Sequence, residues 1–146
     1  MTKDQLKTIL NNLYTYSQKA IEENEIPVAA CLVIEDKVFY SFNHVEKKNN
    51  PFSHAEIEVI EEALKNTNSR YLKNSTLIVT LEPCLMCMGA ILKTGIENLY
   101  YIIDDKDKGS LSYHHVFVDN VLKVHQVEDK KFNELFSSFF KKMREN

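Results

Sequence analysis

The stretch STLIVTLEPCLMCMGAILK, Ser75 to Lys93, changes character at Pro83. Before the proline it is β-branched and apolar, as suits a buried strand. After it the residues suit a helix. Two of the three cysteines in the chain, Cys84 and Cys87, stand three apart at this handover. Pro83 fits a helix start because its missing N–H would be unpaired there anyway. A strand is expected over Thr76–Leu81 and a helix from about Cys84 to Lys93.

Working outward, helical spacing of Leu6, Ile9, Leu10, Leu13, Ser17, Ala20 and Ile21 predicts a first helix, with Thr2 and Gln5 as a capping box. Val28–Ile34 and Val38–Phe42 read as a hairpin joined through Glu35–Lys37, and Asn43–Phe52 as polar loop. The next helix, Ser53–Asn66, is expected to turn Ile57, Ile60 and Leu64 inward and its glutamates outward. Asn98–Ile103 is a further strand, Val121–Val127 a less regular one, and the tail from Phe132 to Met143 an amphipathic helix. Strands alternating with helices need crossover connections, which favour parallel neighbours and helices on both sheet faces. The expected fold is α/β, a mixed sheet of about five strands sandwiched by helices, in one domain spanning residues 1–146.

Composition narrows the function. No apolar run approaches the ~18–20 residues of a membrane span, and the N-terminus lacks a signal-peptide core, so a cytoplasmic protein is expected. Three cysteines do not make a disulfide framework; in a reducing compartment their spacing points to metal or catalysis. A net charge of −3 provides no global basic signature, so any contact with RNA must come from a local patch.

Cys84 and Cys87 share one helix face and can hold one ion, and a helix N-terminus favours the thiolate that binds metal. Redox pairs use the same C-x-x-C spacing. A zinc site needs more ligands, and His54 supplies one from another element boundary. It lies in PFSHAEIEV, with Ser53 a plausible N-cap and His54 in the first turn. Glu56, two residues on, points roughly 200° around a regular helix from His54. The two can therefore serve one ion only if it sits beyond the helix's N-terminal end. Three protein ligands with a fourth position open describe catalytic zinc, which brings the pKa of bound water to about 7. Glu56, near the metal without binding it, is placed to move the proton.

With HAE and PCLMC in this order, the chain resembles the zinc-dependent nucleoside and base deaminases, whose signature is H-x-E…P-C-x-x-C. A histidine as first ligand disfavours the free-cytidine branch. NEIPVAACLVIEDKVFYSFNH, SHAEIEVIEEA, TLIVTLEPCLMCMGAIL and FFKKMREN resemble, in order, segments of the bacterial tRNA adenosine deaminases over nearly the whole chain. The resemblance implies a three-layer α/β/α cytidine-deaminase-like fold and a homodimer. It assigns the zinc ligands to His54, Cys84 and Cys87, the proton shuttle to Glu56 and base contact to Asn43. It also implies zinc-hydroxide hydrolytic deamination of the wobble adenosine of a tRNA anticodon loop to inosine. Two departures stand out. Ala29 replaces the family's glycine in PVGA, and the loop after YYIID is shorter than in the family, with Ile102 where a glycine usually falls.

The alternative is a free nucleobase deaminase acting on cytosine or guanine with the same zinc site. A non-catalytic zinc module is disfavoured by Glu56, for which a structural site has no use. Cys31 is expected to be a buried inert thiol, and His114 and His115 to lie on the surface. His44 is read as either a pocket or a loop residue. The tail phenylalanines are expected in the core, with Lys141, Lys142 and Arg144 available for phosphate.

Overall fold

Thr2 and Gln5 exchange hydrogen bonds at the start of α1 (Lys3–Glu22): the Gln5 N–H donates to Thr2 Oγ1 (3.1 Å) and the Thr2 N–H to Gln5 Oε1 (2.9 Å). This is the expected capping box. The structure, a computed structural model, describes residues 1–145. The hairpin β1 (Ala29–Ile34) and β2 (Lys37–Phe42) follows, and then a four-residue helix, α2 (Val45–Lys48), inside the segment read as loop. Four residues carry too little periodicity to register as a helix. Next come α3 (Ala55–Thr67), β3 (Ser75–Leu81), α4 (Leu85–Thr94), β4 (Asn98–Ile103), β5 (Lys123–Gln126) and α5 (Lys130–Glu145).

One sheet orders its strands β2-β1-β3-β4-β5. β1 pairs antiparallel with both β2 and β3, while β3/β4 and β4/β5 are parallel. Strand β1 shows how the layers form, because successive side chains face opposite ways. Ala30, Leu32 and Ile34 join Val59, Ala63 and Ile91 on the face covered by α3 and α4. Ala29 and Cys31 join Leu13, Phe132 and Phe136 under α1 and α5. The result is a three-layer α/β/α sandwich.

Helix α3 differs from its reading. Ala55, Val59, Ile60 and Ala63 form its buried stripe, with Ile57 and Leu64 only partly covered. Glu56 points inward and is 3% exposed, while Glu61 and Glu62 face solvent as expected. A carboxylate among the inward residues is the local rule broken here, and the site below accounts for it.

Candidate active site

Strand β3 delivers the chain through Glu82 and Pro83 to Cys84, which is the N-cap of α4 with extended backbone (φ −74°, ψ 177°). Cys87 lies in the helix's first turn and is fully buried. His54 is likewise the N-cap of α3 (φ −71°, ψ 152°), one position earlier than its expected place in the first turn, and Ser53 makes no capping bond. Both helices therefore end on a metal-ligand type at their electropositive termini. His54 Nδ1 lies 3.7 Å from Cys84 Sγ and 3.5 Å from Cys87 Sγ. One ligand atom from each of the three residues lies within 4.8 Å of the others.

These residues fit zinc. Bonds of ~2.3 Å to sulfur and ~2.0–2.1 Å to nitrogen put tetrahedral neighbours roughly 3.6 Å apart. The observed nitrogen–sulfur separations match that edge. The two thiols behave as an unequal pair. Cys84 is lowered to about 4, mainly because Cys87 hydrogen-bonds to it, with His54 helping. Cys87 is pushed up by the same bond and by burial. The bond to Cys84 also raises His54.

Glu56 stands beside this cluster. Burial pushes its carboxyl up to about 7, opposed by a backbone hydrogen bond and by His54. Its Oε1 is buried without a hydrogen-bond partner among the described residues. A buried acceptor left unpaired is costly. A group that exchanges a proton near neutrality is what acid–base catalysis needs.

His54, Glu56 and Cys84 open onto a cavity of about 580 Å³, with Asn43 on its wall. Asn43 is held by its N–H donating to Val28 O (3.0 Å) and is 6% exposed. Phe139 and Lys142 of α5 reach the same cavity, as do Asp105 and Lys108 from the loop after β4. Among the three tail cations Lys142 alone lines it; Lys141 and Arg144 are exposed elsewhere. A second cavity of about 610 Å³, between the start of α1 and β2, holds none of these groups.

Two fully buried carboxylates of the lining were not read from the sequence. Glu25 is 1% exposed and accepts from the N–H groups of Glu46 (3.0 Å) and Lys47 (2.9 Å), holding the start of α2. Glu82 is 2% exposed and accepts from the loop after β4. Their partners are distant backbone amides, which leave no local pattern. His44 packs on Phe42 (ring centroids 4.4 Å) with Nδ1 3.7 Å from Glu58 Oε1, outside the cavity lining. His114 and His115 are exposed. Cys31 is fully buried on the opposite sheet face, its thiol raised to about 12 by desolvation. Among the described residues no helix is long and apolar enough to cross a membrane.

Comparison with known proteins agrees with this geometry. The MafB19-like deaminase family matches over residues 4–144. The tRNA-specific adenosine deaminase of Aquifex aeolicus is 35% identical over 136 residues, 89% of this chain and 90% of that one. A solved structure from work on A-to-I editing by tRNA:A34 deaminases at the wobble position superposes with a TM-score of 0.76 at 32% identity, covering 83% of this chain and 98% of that chain. The guanine deaminase of Bacillus subtilis, 22% identical, shares the fold with a TM-score of 0.67, over 97% of this chain and 95% of that one.

Proposed function

Because the chain belongs to the tRNA-specific adenosine deaminases, within the MafB19-like deaminase family, we propose that it hydrolyses the wobble adenosine of a tRNA anticodon to inosine, using zinc held by His54, Cys84 and Cys87. The observation that carries this reading is the three-ligand cluster beside a buried carboxyl with an unpaired oxygen. Bound there, zinc supplies Lewis acidity that makes water a competent nucleophile near neutral pH.

The chain's own residues do the rest. Glu56 takes a proton from the attacking water and gives it to the ring nitrogen. A second proton follows the same route to the departing amine, so water and adenosine become inosine and ammonia. Asn43 meets the base edge inside the cavity. The cavity lining carries Glu25, Glu46, Glu56, Glu82 and Asp105, with the exposed Lys108 and Lys142 as its cations. The acidic interior suits a neutral base, and the two exposed lysines are the lining groups available to phosphate. The target nucleotide must leave its stack to enter, as enzymes that work on bases require.

Free thiols at Cys84 and Cys87 suit a reducing compartment, and the proposed location is the cytoplasm. The enzyme is further proposed to act as a homodimer. Leu85 and Leu92 are exposed and lie seven apart on one face of α4, and Phe52 near His54 is 63% exposed. An apolar surface of this kind suits association. The deciding experiment is digestion to nucleosides of a treated anticodon stem-loop whose only adenosine stands at the wobble position. Inosine should replace adenosine at the wobble position, and its absence there would reject the substrate.

A further inference from the structure

Glu82 is a carboxylate buried with no ion-pair partner among the described residues, and four donors converge on it. Oε1 accepts from the Asp105 N–H (3.2 Å) and the Ser112 hydroxyl (2.5 Å); Oε2 accepts from the Leu111 N–H (2.9 Å) and the Ser112 N–H (2.8 Å). A carboxylate offers about four lone-pair sites, so its accepting capacity is used up on one loop. Gly109 sits over it at close range: a Cβ there would strike Glu82 Oε2 and Asp105 O. The same loop is tied to the first cysteine. Gly109 bridges to Cys84, and Ser110 donates to Pro83 O through its N–H (3.0 Å) and its hydroxyl (2.7 Å). Asp105 and Lys108 of this loop line the cavity.

We propose that Glu82 is a positioning residue whose carboxylate fixes the short loop Asp105–Ser112 as a wall of the reaction cavity. It acts through that loop, never on the reacting atoms. Four backbone and hydroxyl donors require an acceptor-only group. An amide would turn its NH2 toward two of them, leaving donors unpaired. The sequence reads as a shortened loop beside the family it resembles, and this clamp lets so short a segment hold one shape. The consequence for substrate rests on the function proposed above.

The test compares wild type, Glu82→Gln and Gly109→Ala as zinc-loaded proteins, by amide hydrogen exchange and by stem-loop kinetics. Gly109→Ala keeps the carboxylate in the chain but drives a Cβ into Glu82 Oε2 and Asp105 O, so it breaks the clamp from the loop's side. In both variants the Leu111 and Ser112 amides should exchange roughly tenfold faster while β3 and β4 keep their protection. KM for the stem-loop should rise roughly tenfold with kcat within about threefold and zinc content unchanged. Unchanged exchange in the loop overturns the clamp. Faster exchange with an unchanged KM overturns its positioning role, as does loss of zinc in step with activity. If Glu82→Gln fails to fold, Gly109→Ala decides alone, and wild-type behaviour from it overturns the proposal. A wild type inert on the stem-loop rejects the substrate reading, while the exchange comparison still decides the clamp.

Discussion

His54 Nδ1 lies 3.5 Å from Cys87 Sγ although 33 residues separate them in the chain. The contact is made by two helix starts meeting at one point, α3 through its N-cap and α4 through its first turn. Neither helix alone holds enough ligands, so the site exists only when the sheet is assembled. Metal binding there would therefore be linked to folding.

Metal content follows from that meeting. Elemental analysis should find about one zinc per chain, and Cys84→Ser or Cys87→Ser should each lose it, because a three-ligand site cannot spare one. Cys31→Ala should keep the metal, since Cys31 is buried under α1 and α5, across the sheet from the site. Zinc loss in Cys31→Ala as complete as in Cys84→Ser would contradict the ligand assignment.

Glu56→Gln should separate binding from chemistry. Zinc and stem-loop affinity should stay, and turnover should fall by at least ~10²–10⁴-fold, the scale of general acid–base transfer. A near-normal rate would remove Glu56 from the mechanism.

The same residue predicts a pH effect on the metal-free protein. Burial raises its carboxyl from 4.5 to about 7, so the folded chain holds a proton that the unfolded chain has already released. The contribution of Glu56 to stability is therefore lost as pH rises between those values and stays level above them. Denaturant melts should show metal-free Glu56→Gln gaining up to about 3 kcal/mol over wild type at about pH 8, relative to the same difference at about pH 4. A difference independent of pH would refute the raised carboxyl.

What the sequence revealed follows from how local each feature is. The meeting of His54, Cys84 and Cys87 was legible because metal-ligand residue types at two helix starts mark a candidate site in the sequence itself. The layers were legible too, since the Ala29-to-Ile34 alternation and the Phe132/Phe136 pair each mark a covered face. The strand order was not, because the antiparallel pairing of β1 with β3 depends on partners some 40 residues apart or more. Glu25 and Glu82 were invisible for a related reason: each serves backbone amides at least 21 residues away. The inward turn of Glu56 defeated the simple rule that helical glutamates face water.

Helix α5 joins stability to recognition. Phe132 is fully buried against Tyr14, with ring centroids 5.4 Å apart, so Phe132→Ala should cost about 3–5 kcal/mol in denaturant melts. A loss below about 1 kcal/mol would mean the site had collapsed around the gap. Lys142, further along the same helix, faces the cavity. Lys142→Ala should raise KM for the stem-loop and flatten the log–log salt dependence of binding by about 0.7–0.9, the share of one phosphate contact. Lys141→Ala should do less on both counts; equal effects would mean the cations act only as a diffuse field.

The most direct test of the account is competition for the zinc-loaded enzyme between an anticodon stem-loop bearing a wobble adenosine and free adenosine, cytosine and guanine, with products followed by mass. Remote contacts spend their binding energy on placing the reacting carbon, so the stem-loop should be converted to inosine with a kcat/KM at least ~10³-fold above each free compound. Efficient turnover of cytosine or guanine with the stem-loop untouched would contradict it.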